Sequence, residues 1–549
     1  MKIKLRLLSS LTKVFLDTEP VENPGEGRLT GFLNETVSFQ AAWAMEGGEP
    51  RSYARLTVTS PIASIVRVRQ VHHVPVRFTT FPDADANYLR KAPGLFPDLL
   101  SEPKEMLRIW ADKWESAWID VTPDENTVPG VYPIELTLTE VETGETATRV
   151  MQVEILPAQL PAQTLIHTKW FYCDCLCQYY GVEMFSDELF RIAENFIAAA
   201  VKRGINMILT PIHTPPLDTA VGRERMTSQL VDVTVEHGKY SFSFDNLRRW
   251  VAMCKRCGVK YYEIAHFFTQ WGARHAPKIM ATVDGEYKRI FGWDTDATGP
   301  EYTAFLRAYI PAVLAELRAL GVDRQCWFHI SDEPSLAQLE DYKAAKAVVA
   351  ELLDGYPIMD ALSDYDFYTS GAVAKPIPAN NHIAPFIEHG VQGLWTYYCC
   401  GQYIDVSNMF MAMPSARNRI LGVQLYKFNI EGFLQWGYNS YNSQYSYYPV
   451  NPYLTTDGDG FVPAGDTFQV YPGPGGVPEE SIRMMVTDEA LYDLRAFRML
   501  ESLRGRDFVM NLIEDGLAQP ITFDRYPTDD SYLLRLREKV NREIVKALA

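Results

Sequence analysis

The chain is poor in the features that would place it quickly. Positive charge is scarce: 52 Lys and Arg stand against 69 Asp and Glu, a formal charge of −17. That balance argues against nucleic acid or an anionic membrane as the main partner and favours a neutral or weakly polar ligand. No apolar run approaches the ~20 residues of a membrane span. The opening "MKIKLRLLSSLTKVFLDTEP" has early lysines but neither a secretory apolar stretch nor a small-residue cleavage site, so a cytoplasmic protein is expected. Cysteines number eight in 549 residues. Neither "CDCLC" (Cys173, Cys175, Cys177) nor "CKRC" (Cys254, Cys257) has a second pair at zinc-finger spacing, so reduced, buried thiols are expected and no metal is called for. No G-x-G-x-x-G or G-x-x-x-x-G-K-[ST] follows a strand, which leaves nucleotide binding unsupported.

What is present divides in two. Up to about residue 160 the chain offers short β-rich runs broken by Gly, Pro and Asp, among them "NETVSFQAAWAM", "RSYARLTVTS" and "GVYPIELTLTEV". This spacing predicts an N-terminal antiparallel β-sandwich over residues 1–160, closed by the proline-bearing "LPAQLPAQ". Beyond it, strand and helix alternate. "LIHTKWFYCDCL" reads as a strand, "DELFRIAENFIAAAVKRG" as an amphipathic helix, "INMILTPI" as a strand, and the pattern continues through "CWFHIS", "PIMDALS", "GLWTYYCC" and "EGFLQWGY". Seven or eight such units over residues 161–480 predict a (β/α)8 TIM-type barrel. Residues 481–549 are expected as a C-terminal helical segment packed on it.

The run "CWFHISDEPSLAQL" ends an apolar strand in two adjacent carboxylates, Asp332 and Glu333. In a barrel they stand at the C-terminal end of the fourth strand, where barrel enzymes place their chemistry. Alternation puts Trp327, His329, Ser331 and Glu333 on the inner face, and Phe328 and Ile330 against the helices. Asp332 then points outward unless the strand is already ending, as Pro334 suggests. A second reading makes the pair only the acidic start of the next helix. Adjacent carboxylates cannot straddle a sugar ring as an acid and a nucleophile do. They can serve one side of it, one protonating the leaving oxygen and the other holding a 2-acetamido group that attacks.

The "FHISDEP" segment resembles glycoside hydrolase family 123, as do the long loop "HFFTQWGARHAPKIMATVDGEYKRIFGW", the stretch beginning "LWTYYCCGQYIDVSN" and "VYPGPGGVPEESIRM". The resemblance covers most of residues 165–500. It implies a β-N-acetylgalactosaminidase acting through neighbouring-group participation, with Glu333 as general acid/base, Asp332 orienting the acetamido group, and no cofactor.

Sugars pair apolar C–H faces with hydroxyls, so their sites combine aromatic platforms with a few polar groups. Trp395 and Trp436 are the stacking candidates, with Tyr397 beside them. Tyr398 or Tyr365 could donate to the acetamido oxygen. His266, Trp271 and His275 lie on or after the third strand, and the unpatterned loop to Trp293 is expected as a lid. His329 either positions Glu333 or is an ordinary core histidine. Asp364 in "LSDYD" is the rival nucleophile for ordinary double displacement, or else a turn residue. A non-catalytic carbohydrate-binding protein is the remaining alternative. The expected partner is a small oligosaccharide or glycoside; the oligomeric state is not legible.

Overall fold

A computed structural model describes residues 2–22, 27–47 and 51–549. The N-terminal region is built from a seven-stranded and a five-stranded sheet, antiparallel at nearly every pairing. They share one core: Leu5, Phe39, Trp43 and Ile119 from one sheet meet Ile134, Leu136, Leu138 and Val153 from the other. The alternation that predicted these strands is visible in Gly130–Glu140, where Ile134, Leu136 and Leu138 are buried and their neighbours half-exposed. The larger sheet does not end with the N-terminal residues. Val470–Tyr471 and Glu479–Ser481, from far down the chain, extend it at the Gly94–Ser101 edge.

The second region is a curled sheet with helices outside it. Its parallel strands, numbered along the chain, are β1 (Ile166–Lys169), β2 (Met207–Thr210), β3 (Tyr261–Ile264), β4 (Cys326–Trp327), β5 (Met359–Ala361), β6 (Lys375–Ile377), β7 (Trp395–Tyr397) and β8 (Gly432–Gln435). Six form one sheet in the order β4-β3-β2-β1-β8-β7, while β5 and β6 pair separately. Single parallel bridges, Phe328 with Ile358 and Ala379 with Tyr397, join that pair to the two edges of the larger sheet.

Long helices follow the first four strands. α2 (Asp187–Lys202) is capped by Ser186 and buries Leu189, Ile192, Phe196 and Ile197; α1 (Cys173–Tyr180) precedes it, α3 (Asp245–Cys257) and α4 (Pro300–Ala319) follow β2 and β3, and α5 (Leu339–Val349) follows β4. After β5 the regular alternation stops: Tyr365–Thr369 and Ala384–Glu388 are five-residue helices. The expected C-terminal helices are present at Ile482–Arg504, Arg506–Glu514 and Asp530–Leu548. No helix among the described residues is long and apolar enough to cross a membrane.

Two local expectations are corrected. "LIHTKWFYCDCL" is not one strand: β1 stops at Lys169 and Cys173 opens α1. Within that helix Asp174 turns inward to a buried ion pair with Arg225 at 2.9 Å. The loop after β3 is not without structure. Ile279–Val283 and Glu286–Phe291 form a hairpin, joined to a second hairpin (Asp232–Glu236 and Lys239–Ser243) in a four-stranded sheet.

Candidate active site

A cleft of about 120 Å³ opens at the C-terminal ends of the parallel strands. Its lining comes from nearly every one of them: Trp170 and Tyr172 after β1, Asp218 after β2, Gln270 and Trp271 after β3, Asp332 and Glu333 after β4, Tyr397 and Cys399 on and after β7, Trp436 after β8. Three carboxylates, five large aromatics with polar tips and an amide therefore face one space.

The acidic pair occupies one wall, and the backbone explains how adjacent residues share it. The β4 ladder ends early: beyond the Phe328 bridge the chain is no longer extended strand. Glu333 then takes a left-handed conformation with φ 44°, a turn that sets aside the alternation of faces. The pair is not the start of α5. That segment is opened by Ser335, whose side chain forms a capping box with Gln338 in the short 3-10 turn ahead of the helix, so Asp332 and Glu333 lie before the cap and in the cleft.

Tyr397 O–H donates to Glu333 Oε1 at 2.6 Å. Burial and the adjacent Glu333 charge push Asp332 well above the usual carboxylate range. Trp271, 42% exposed, stands at the mouth with its ring against Tyr445 at 6.0 Å, and its backbone N–H donates to the Asp332 carbonyl at 3.0 Å. Trp436 is fixed by its indole N–H bond to Asp466 at 2.9 Å.

Of the residues singled out from sequence, Asp332, Glu333, Trp271, Tyr397 and Trp436 are brought together here. The others lie elsewhere. Trp395 is fully buried, packed on Trp327 at 5.1 Å with the Lys375 ammonium over its ring; it closes the inside of the curled sheet at the opposite end. Tyr398 points into the helical layer against Phe433. Tyr365 stacks on His389 and meets Phe386 edge-to-face outside the sheet. His275 bridges to Asp296 in the long loop and faces Trp293. His266 is buried below the cleft, stacked on His329 at 4.1 Å. Asp364 caps the Tyr365–Thr369 helix by accepting from the Phe367 N–H.

Sequence reasoning missed Tyr172, Asp218 and Gln270. Gln270 accepts from the Asp218 N–H at 2.7 Å, and Asp218 accepts from the Tyr445 N–H at 3.0 Å. They sit in loops without a motif, and only their place just past strand ends marked them. His266, His329 and Asp360 offer donor atoms within 4.8 Å of one another. Both His329 nitrogens face carboxylate oxygens, however, which makes them proton donors and leaves no lone pair for a metal.

The glycoside hydrolase 123 catalytic-domain model matches residues 170–500. A search of curated proteins finds no match. Among solved structures, a family 123 glycoside hydrolase from Clostridium perfringens, studied for glycolipid glycan hydrolysis, matches over 100% of this chain and 98% of its own, with TM-score 0.77 at 13% identity. Looser matches are a β-glucuronidase from Parabacteroides merdae (TM-score 0.30, 11% identity, 90% of this chain and 52% of that one) and an endo-β-1,4-mannanase from Thermotoga petrophila (TM-score 0.32, 12% identity, 60% and 77%).

Proposed function

The chain belongs to glycoside hydrolase family 123 and is a glycosidase, and from that membership we propose that it is a retaining β-N-acetylhexosaminidase, N-acetylgalactosaminidase-like, using substrate-assisted catalysis. The observation that carries this reading is the placement of Asp332 and Glu333 side by side on one wall. A pair so placed cannot flank the anomeric carbon from opposite faces. The substrate's own 2-acetamido oxygen then supplies the attack.

Glu333 gives its proton to the leaving oxygen as the acetamido oxygen bonds to the anomeric carbon and the glycosidic C–O bond breaks. Asp332 accepts the acetamido N–H and stabilises the resulting oxazolinium. Water, giving its proton to Glu333, then attacks the anomeric carbon from the vacated side, so two inversions yield net retention. In the free enzyme, burial and the Glu333 charge favour the proton on Asp332. An amide N–H donated to Asp332 reverses that preference and moves the proton to Glu333, where the leaving oxygen needs it. Trp436, Trp271 and Tyr397 contact the sugar, while the eight parallel strands act as one closed (β/α)8 barrel. We assign the functional units as 1–160, 161–480 and 481–549. A cytoplasmic site of action agrees with eight unpaired cysteines, five of them buried.

A second reading is favoured by one observation: Asp218 is a third carboxylate in the same cleft, and it replaces the helix-capping Asp364 as the nucleophile of a direct double displacement. Aryl β-glycosides with and without the 2-acetamido group separate the two. Substrate assistance expects turnover of the acetamido sugar only, with kcat down by roughly 10²–10⁴-fold in Glu333→Gln and Asp332→Asn. Equal turnover of the plain sugar, lost in Asp218→Asn, would overturn it. Binding without turnover of any glycoside tried would indicate a lectin-like role for the cleft.

A further inference from the structure

Beneath the acidic pair, three neighbouring strands each send one charged side chain into the same dry spot. Glu263 comes from β3, His329 from just past β4 and Asp360 from β5, and all three are fully buried. His329 Nε2 lies 2.7 Å from Glu263 Oε1, and its Nδ1 lies 3.1 Å from Asp360 Oδ1. An ionised carboxylate only accepts, so an imidazole between two of them must donate from both nitrogens, and only the cation can. Burial opposes that charge, but the bonds to Asp360 and Glu263 outweigh it and push His329 up to about 10.

The arrangement reaches both halves of the cleft. Glu263 also accepts from Thr168 and from the Trp170 indole N–H at 2.8 Å, and Trp170 lines the cleft. Asp360 also accepts from Tyr342 O–H at 2.6 Å and from the Ile330 N–H at 3.1 Å, which fixes the backbone two residues before Asp332. Ser331 O–H, next along, donates to the Thr269 carbonyl at 2.8 Å.

We propose that Glu263, His329 and Asp360 form a positioning clamp for the catalytic pair: an imidazolium gripped by two carboxylates, which orients the Asp332-Glu333 turn and the Trp170 floor together and sets the charge the pair experiences. The proposal rests on the reading of Asp332 and Glu333 as the working acids. Asp332 is faced by Glu333, His329, Asp360 and Glu263, and Glu333 in turn by Tyr397 and Cys399. The clamp thus contributes one net negative charge to a pair that must hold one proton to work.

Glu263→Gln keeps the size of the side chain and an acceptor oxygen while removing one negative charge. With Asp360 still facing it, His329 keeps its proton in acid. In the pH profile of kcat/KM on 4-nitrophenyl N-acetyl-β-galactosaminide, both limbs are expected to move to lower pH by about half a unit or more, and Asp360→Asn is expected to move them in the same sense. A fall in rate with both limbs unmoved means the residues only fill space, and overturns the proposal.

If wild type hydrolyses no acetamido glycoside, the mechanistic reading fails while the clamp can still be measured by unfolding. A histidine raised from 6.5 to about 10 stabilises fully below about 6.5 and loses that contribution as pH rises through about 10. The stability gap between wild type and His329→Gln should therefore shrink steadily over that window. A gap that stays constant across it rules out the charged clamp.

Discussion

Glu333 holds a backbone conformation that costs a non-glycine residue roughly 1–2 kcal/mol, and it is not alone. Trp271, Ala273, Asp218 and Tyr445 also have positive φ, and Trp271, Asp218 and Glu333 all line the cleft. Strain of this kind persists where the surroundings over-determine it; here the Tyr397 bond to Glu333 and the Trp271 backbone N–H bond to the Asp332 carbonyl do so. Asp466, behind Trp436, supports a separate prediction. Burial pushes it up to about 7, even against the bond from the Trp436 indole. A carboxyl raised in this way lends stability that is complete below its ordinary 3.8 and is lost as pH rises through about 7. Wild type should lose on the order of 4 kcal/mol between about pH 4 and 8 relative to Asp466→Asn, read from chemical unfolding at each pH. Parallel stability curves for the two proteins would count against it.

At the scale of elements, the eighth strand depends on a missing side chain. A Cβ on Gly432 would sit 2.0 Å from the Trp395 ring, so the indole occupies the space that any other residue would fill. Gly432→Ala is expected to destabilise the protein by about 1–3 kcal/mol, measured by urea denaturation; a variant as stable as wild type would mean that the ring can move aside. The same pair shows where sequence patterning stops. Alternation along "CWFHIS" correctly put Trp327 and His329 inside and Phe328 and Ile330 against the helices. It could not tell an aromatic at the mouth from one at the other end, since Trp395 opens a three-residue strand and Trp436 follows a four-residue one. Length decides this, and strand ends set by single bonds leave little trace in composition. Glu263 and Asp360 did leave one: each is a lone acid inside an apolar strand, "YYEIA" and "IMDAL", and a buried acid needs a partner.

For the molecule as a whole, what was least legible is how the two regions are joined, because the contacts link residues hundreds of positions apart. Arg483, at the start of the Ile482–Arg504 helix, is buried and grips Asp98 of the N-terminal sheet with bonds of 2.8 and 3.0 Å. Arg203 in turn holds Glu480 and Asp488, and Arg69 of the sheet reaches the same Glu480. Such networks tie the two regions together through buried charge pairs. Arg483→Met, which strands the Asp98 charge, is expected to cost about 3–5 kcal/mol. Adding Asp98→Leu should recover much of that loss in the same unfolding assay; a double variant as weak as the sum of its parts would show that the two residues act separately.

The buried Trp395 also governs traffic. Trp395 and Trp327 fill the inside of the curled sheet at its far end, which leaves the cleft mouth as the doorway for what enters and leaves. In the proposed substrate-assisted reaction the departing aglycone and the incoming water share that doorway, and a small alcohol entering in place of water would attack the same oxazolinium.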